Sequence, residues 1–193
     1  MPLSHRFSEA LAYTAVLHAE QKRKSSGEPY LAHLLAVAAI VMEHGGNEDE
    51  AIAGLLHDAV EDQGGIETLD EIHRRFGETV AAIVEGCTDT VEHVKTPWRQ
   101  RKETHVSRLK DASASVRLVV AADKLHNARS LLREYRRHGE LLWSHFRGGR
   151  DGTLWYYRAV LDVLTQAEKT PLLEELARTV AEIERLACNS REV

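Results

Sequence analysis

VRLVVAADKLHNARSLL, residues 116–132, decides the fold class of this chain. Val116, Val119, Val120, Asp123, Asn127 and Ser130 recur at helical spacing and share one stripe. The stripe is apolar upstream and turns polar at Asp123. Its surroundings are apolar on nearly all sides, so this helix is expected to be central. A carboxylate buried there needs a cation, a metal or several hydrogen-bond donors. The ordinary alternative is a structural ion pair between Asp123 and an arginine.

Outward from this helix the pattern stays helical, and strand signals are nearly absent. Ser8 is expected to cap a helix over EALAYTAVLHAEQ, with Leu11, Ala15 and His18 on one stripe. KRKSSGEP reads as a loop, and Tyr30 to His44 as an apolar helix ending at Gly45-Gly46. Glu48 to Asp62 reads as one helix stopped by Gly64-Gly65. Thr68 to Phe76, Glu78 to Cys87, Lys102 to Lys110 and Ser115 to Tyr135 follow, with residues 88–100 as a loop. RGGRDG precedes a helix from Thr153, and Thr170-Pro171 starts the last one. The expectation is an all-α, compact single domain of about eight to ten helices. Residues 1–165 would form its body, with 166–193 a C-terminal helix packing on or extending it.

Composition narrows the function classes. The 193 residues are 43% hydrophobic and 28% charged, with a net charge of −5. That charge argues against nucleic-acid binding as the main task. The N-terminus lacks a secretory h-region, and no apolar run approaches the ~18 residues of a membrane helix. Cys87 and Cys188 fit no CxxC pattern and read as reduced thiols. Together these point to the cytoplasm and to no membrane partner. A homo-oligomer is compatible with the sequence.

The chemistry concentrates in GLLHDAVED, residues 54–62. On a continuous helix, with His57 at zero, Glu61 falls at about 40°, Asp58 at about 100° and Asp62 at about 140°. Three carboxylates and an imidazole then share one face, and like charges that close call for a cation between them. A solvated acidic helix end is the plainer alternative. His33 is the only polar side chain after Tyr30 in the apolar stretch PYLAHLLAVAAIV. Alone it would be a satisfied core histidine. With His57, Asp58 and Asp123 it completes an N2O2 set suited to Mn²⁺, Fe²⁺, Co²⁺ or Zn²⁺.

The order His33, His57-Asp58, Asp123 resembles that of the HD-domain metal-dependent phosphohydrolases. QKRKSSGEPYLAH, LLHDAVED, FGETVAAIVEGCTD and VVAADKLHNARSL, in that order, resemble more narrowly the hydrolase domain of the RelA/SpoT alarmone enzymes and the small alarmone hydrolases of the metazoan SpoT-homolog type. The resemblance covers roughly residues 8–165. It implies that His33, His57, Asp58 and Asp123 hold one Mn²⁺ and that Glu61 and Asp62 position and activate the attacking water. It further implies that Arg23, Lys24 and Ser25 face the guanosine nucleotide and its phosphates, with Asn127 and Arg129 toward ribose and base. The implied activity is removal of the 3′-pyrophosphate of (p)ppGpp. An HD phosphohydrolase for another nucleotide, such as a nucleoside monophosphate or NADPH, and a non-catalytic nucleotide-binding HD domain are the competing classes. Gln63 departs from the threonine that often follows the Glu-Asp pair in the family. Trp155, Tyr156 and Tyr157 stand where small alarmone hydrolases carry aromatics near the nucleotide, with core packing as the plainer role for at least two of them. No synthetase domain is expected.

Overall fold

The computed structural model describes residues 3–24, 26–89 and 96–189. Among these are ten α-helices and one 3-10 helix, and no strand. The helices are α1 (His5–Leu17), α2 (Tyr30–Glu43), α3 (Glu48–Leu56), α4 (Ala59–Gln63), α5 (Ile66–Phe76), α6 (Glu78–Cys87), α7 (Trp98–Leu109), α8 (Ala114–His138), α9 (Gly149–Ala167) and α10 (Pro171–Asn189). The 3-10 helix, Gly139–His145, joins α8 to α9. No described helix is long and apolar enough to cross a membrane.

Helix α8 is the axis. The Ser113 hydroxyl accepts the Val116 amide at its start, and the chain leaves the helix at Gly139, whose φ of 56° suits glycine. Around α8 pack α2, α3, α6, α9 and α10. Val119, Ala122, Leu125 and Ala128 are fully buried, as the apolar surroundings of residues 116–132 require. Helices α2 and α3 lie against each other and against α8, so His33 on α2, the α3 terminus and Asp123 on α8 meet at one place. The α2–α3 approach is close: a Cβ at Gly54 would stand 3.1 Å from the Ala38 Cα.

Several boundaries differ from the sequence reading. Ser4, not Ser8, caps α1: its hydroxyl accepts the Arg6 amide, while its own amide and hydroxyl reach Glu48 at the start of α3. A contact across 44 residues fixes that cap. The helix expected over Glu48 to Asp62 breaks at His57-Asp58 into α3 and α4. Both residues keep near-helical dihedrals, with Asp58 at φ −98° and ψ −2°, so no proline or glycine marks the break. Helix α7 begins four residues before Lys102, directly after Pro97, whose extended ψ of 141° turns the chain into it. Helix α9 begins at Gly149 rather than Thr153: the Trp98 ring lies where Cβ atoms at Gly148 and Gly152 would be, so these glycines admit the indole. Thr170 caps α10 by accepting the Leu173 amide.

Candidate active site

The break after α3 has a chemical result. The His57 ring turns so that Nδ1 lies 2.9 Å from the carbonyl oxygen of Gly54. That carbonyl can only accept, so Nδ1 carries the hydrogen and Nε2 presents a lone pair. On α2, His33 Nδ1 lies 2.7 Å from Nδ1 of His126 on α8. One ring donates and the other accepts. Burial, and then the neighbouring His33, push His126 down to about 4, which suits it as the accepting, neutral ring.

The two free nitrogens point at the same carboxylates. His33 Nε2 is 3.5 Å from Asp58 Oδ2 and 3.3 Å from Asp123 Oδ1. His57 Nε2 is 3.1 Å from Asp58 Oδ2 and 3.5 Å from Asp123 Oδ1. Both Nε2 atoms are buried without a hydrogen-bond partner among the described residues. Ligand atoms of His33, His57 and Asp58 all fall within 4.8 Å of one another. Two buried lone pairs facing two carboxylate oxygens fit a divalent cation of borderline character.

The carboxylates are held from behind. Tyr30 donates its hydroxyl to Asp58 Oδ2 at 2.6 Å. Asp123 accepts from Asn127 Nδ2 at 2.5 Å and from Lys124 Nζ at 2.7 Å. Burial works against charge on both aspartates, but His57 beside Asp58 and Lys124 beside Asp123 outweigh it and hold both carboxyls well below the usual range. Burial likewise opposes a charge on His57. The Asp58 and Asp123 carboxylates overcome that and hold the imidazole well above its ordinary value. A cation between the carboxylates competes with that proton.

Glu61 and Asp62 line the same cavity, of about 630 Å³. Burial first, and then the Asp89 carboxylate, raise Glu61; burial and then Asp58 raise Asp62. Asp62 accepts from Gln21 Nε2 at 2.7 Å, and Gln63 Nε2 donates to Gln21 Oε1 at 2.6 Å. The unexpected Gln63 thus closes a chain that steadies Asp62.

At the mouth, Arg23 donates to Asn127 Oδ1 at 2.7 Å and lies 5.7 Å from the Tyr30 ring centre. Lys24 is exposed and also lines the cavity. Ser25 lies outside the described residues. The structure does not bring Arg129 to the site: it turns away from the cavity to pair with Glu175 on α10. The helical stripe explains the difference, since Asp123 and Asn127 are one turn apart whereas Arg129 points to another face. Tyr156 and Tyr157 are buried and line the cavity, while Trp155 stacks under Arg99 at 3.2 Å from its ring centre. Lys102, His105, Lys124 and His126 stand at or behind the site without having been picked from sequence. Each belongs to a helix with its own ordinary polar pattern, and only packing brings them together.

The HD domain family signature matches residues 10–154. MESH1 of Xenopus tropicalis, a guanosine-3′,5′-bis(diphosphate) 3′-pyrophosphohydrolase, is 41% identical over 129 residues, 65% of this chain and 69% of that protein. A probable guanosine-3′,5′-bis(diphosphate) 3′-pyrophosphohydrolase of Synechocystis is 39% identical over 125 residues, and this chain spans only 16% of its length. The solved structure of a metazoan ortholog of SpoT, described as hydrolysing ppGpp, superposes with a TM-score of 0.78 at 26% identity, covering 94% of this chain and 97% of that one. That of lmo0812 from Listeria monocytogenes superposes at 0.68 and 32% identity, covering 77% of this chain and 96% of that one. With a family match that spans most of its length, the chain belongs to the HD domain family.

Proposed function

We propose that this chain is a metal-dependent hydrolase that removes the 3′-pyrophosphate of guanosine-3′,5′-bis(diphosphate), and of its pentaphosphate form. The observation that carries the reading is the pair of buried Nε2 atoms of His33 and His57, without a hydrogen-bond partner among the described residues, facing Asp58 and Asp123, with two raised carboxyls in the same cavity. The activities of MESH1 and of the SpoT ortholog supply the substrate class.

His33, His57, Asp58 and Asp123 would hold one divalent cation, and we assign Mn²⁺ to it. When bound, such a cation supplies Lewis acidity and lowers the pKa of water. The remaining work falls to the chain. Glu61, made a stronger base by its burial, takes a proton from the attacking water. Asp62, fixed by Gln21, orients that water. The water oxygen bonds to the phosphorus next to the ribose, and the bond from that phosphorus to the 3′-oxygen breaks. The 3′-oxygen leaves with the electron pair and receives the proton held by Glu61. One water and one tetraphosphate thus give GDP and pyrophosphate. Arg23 and Lys24, with Asn127 behind them, face the nucleoside and its remaining phosphates at the mouth.

The purified protein with Mn²⁺ should be assayed against ppGpp, pppGpp, nucleoside monophosphates and NADPH, with released pyrophosphate and phosphate measured separately. Pyrophosphate from the first two is expected. Turnover confined to monophosphates or NADPH would overturn the reading.

A further inference from the structure

The cavity has a second charged group of residues beyond Glu61 that the hydrolytic step does not use. Asp89, just past the end of α6, is paired with Lys102 and lies 3.1 Å from His105 Nδ1, both on α7. Lys102 Nζ lies 4.8 Å from the Tyr156 ring centre, and Lys124 Nζ lies 5.3 Å from it. His105 and Tyr156 are 2% and 7% exposed. Yet His105 Nε2 and the Tyr156 hydroxyl have no hydrogen-bond partner among the described residues, and both residues line the cavity. Buried polar atoms without partners are costly and call for a ligand.

The chemistry of that ligand follows from the donors. Two ammonium groups and a hydroxyl select an anion with several acceptor oxygens. The Asp89 carboxylate 3.1 Å from His105 Nδ1 favours the ring hydrogen on that nitrogen, which leaves Nε2 a lone pair. Burial pushes His105 down to about 4; the Asp89 carboxylate pulls the other way, and the Lys124, Lys102 and Arg108 charges add to the lowering, so the ring is neutral. A neutral acceptor among cations suits the hydroxyl of a singly protonated phosphate. Lys124 joins this group to the first one, since its Nζ also lies 2.7 Å from Asp123 Oδ2. A phosphate placed against Asp123 and its neighbours therefore has a second phosphate position directly beside it.

We propose that Lys102, His105, Lys124 and Tyr156 form the seat for the terminal phosphate of the pyrophosphoryl group and so make the enzyme prefer pyrophosphoryl over monophosphoryl esters. This rests on reading the chain as a 3′-pyrophosphohydrolase.

The test is calorimetric binding of inorganic pyrophosphate and inorganic phosphate to the Mn²⁺-loaded protein, in wild type, Lys102→Met and Tyr156→Phe. Manganese content and thermal unfolding are measured on each. Lys102→Met should lose roughly ten- to a hundredfold in pyrophosphate affinity, from one charge-assisted hydrogen bond, with phosphate affinity nearly unchanged. Tyr156→Phe removes only a hydroxyl and should lose several-fold on pyrophosphate alone. It decides the matter if Lys102→Met does not fold. Pyrophosphate affinity unchanged in the folded variants, or an equal loss on both anions, overturns the seat. A wild type that discriminates in this way yet leaves ppGpp intact would overturn the assigned activity and keep the seat. A wild type that cleaves ppGpp while both variants bind pyrophosphate normally would do the reverse.

Discussion

His57 and Asp123 each face the other ligands from a different helix, so removing either leaves the remaining donors too few to hold a cation. His57→Ala and Asp123→Ala should lose bound metal and nearly all turnover, checked by elemental analysis and assay. Full occupancy in Asp123→Ala would show that the cation sits elsewhere. The electrostatics add a pH dependence with a definite sign. In the metal-free protein the His57 proton is stabilised by Asp58 and Asp123, a contribution present at low pH and lost as pH rises through the raised value. Cation binding requires the neutral ring, so affinity should weaken as pH falls through the raised value, with a proton released on binding. Calorimetry in two buffers of different ionisation enthalpy reads that proton directly. Glu61→Gln and Asp62→Asn should retain the cation and lose turnover by about 10²- to 10⁴-fold. Near-normal rates in both would mean neither carboxyl handles the proton. The meeting of His33, His57, Asp58 and Asp123 was legible in sequence, His33 and Asp123 as polar groups in apolar surroundings and His57-Asp58 as part of a crowded polar helix face. His126 was not, because a histidine three residues after Asp123 has no visible reason to meet His33 until α2 and α8 are packed together.

At the scale of elements, the break between α3 and α4 is what aims the site. On the continuous helix expected from residues 48–62, the polar groups shared a face by rotation alone. In the fold, His57 instead closes a side-chain bond onto Gly54, and α4 restarts after Asp58. The pattern located the face but not the break, because local dihedrals there stay close to helical and the deciding contacts are tertiary. The same holds for Ser4, whose partner Glu48 is remote. Ends set by local chemistry, such as Thr170-Pro171 and Glu78 to Cys87, were read correctly. Gly54 lies at the crossing where α3 meets α2, with Ala38 and Val41 opposite. Gly54→Val would drive two methyls into that contact and part the helices carrying His33 and His57. The expected cost is about 1–3 kcal/mol from overpacking, together with weaker metal binding. Denaturant unfolding and metal titration check the two effects, and a stability loss with unchanged metal affinity would show that the α2–α3 distance does not set the site.

On the scale of the whole molecule, the site depends on α8 staying where it is, and α10 covers much of α8. We propose that residues 166–193 belong to the same cooperative unit as the rest of the chain. The physical reason is apolar: Leu172, Leu173, Leu176, Val180, Ile183 and Ala187 are all buried, whereas the ion pairs that reach α10, among them Arg129 to Glu175, Arg136 to Glu182 and Arg158 to Glu184, are partly solvated. Exposed pairs of that kind contribute about 0–1 kcal/mol, while truncating a buried leucine removes about 2–5 kcal/mol. Arg129→Ala should therefore shift stability little. Leu176→Ala should lower it by about 2–5 kcal/mol. If α10 is part of one unit, the Leu176→Ala transition remains single, and added Mn²⁺ raises its midpoint as it does in wild type, because binding the native state pulls the entire equilibrium. Circular dichroism and a metal-dependent probe followed on one thermal ramp distinguish the outcomes. Coincident transitions support the single unit. An early loss of helix signal with the metal site intact would show α10 to be a separable extension, and the control of Asp123 would then rest on α2, α3, α6 and α9.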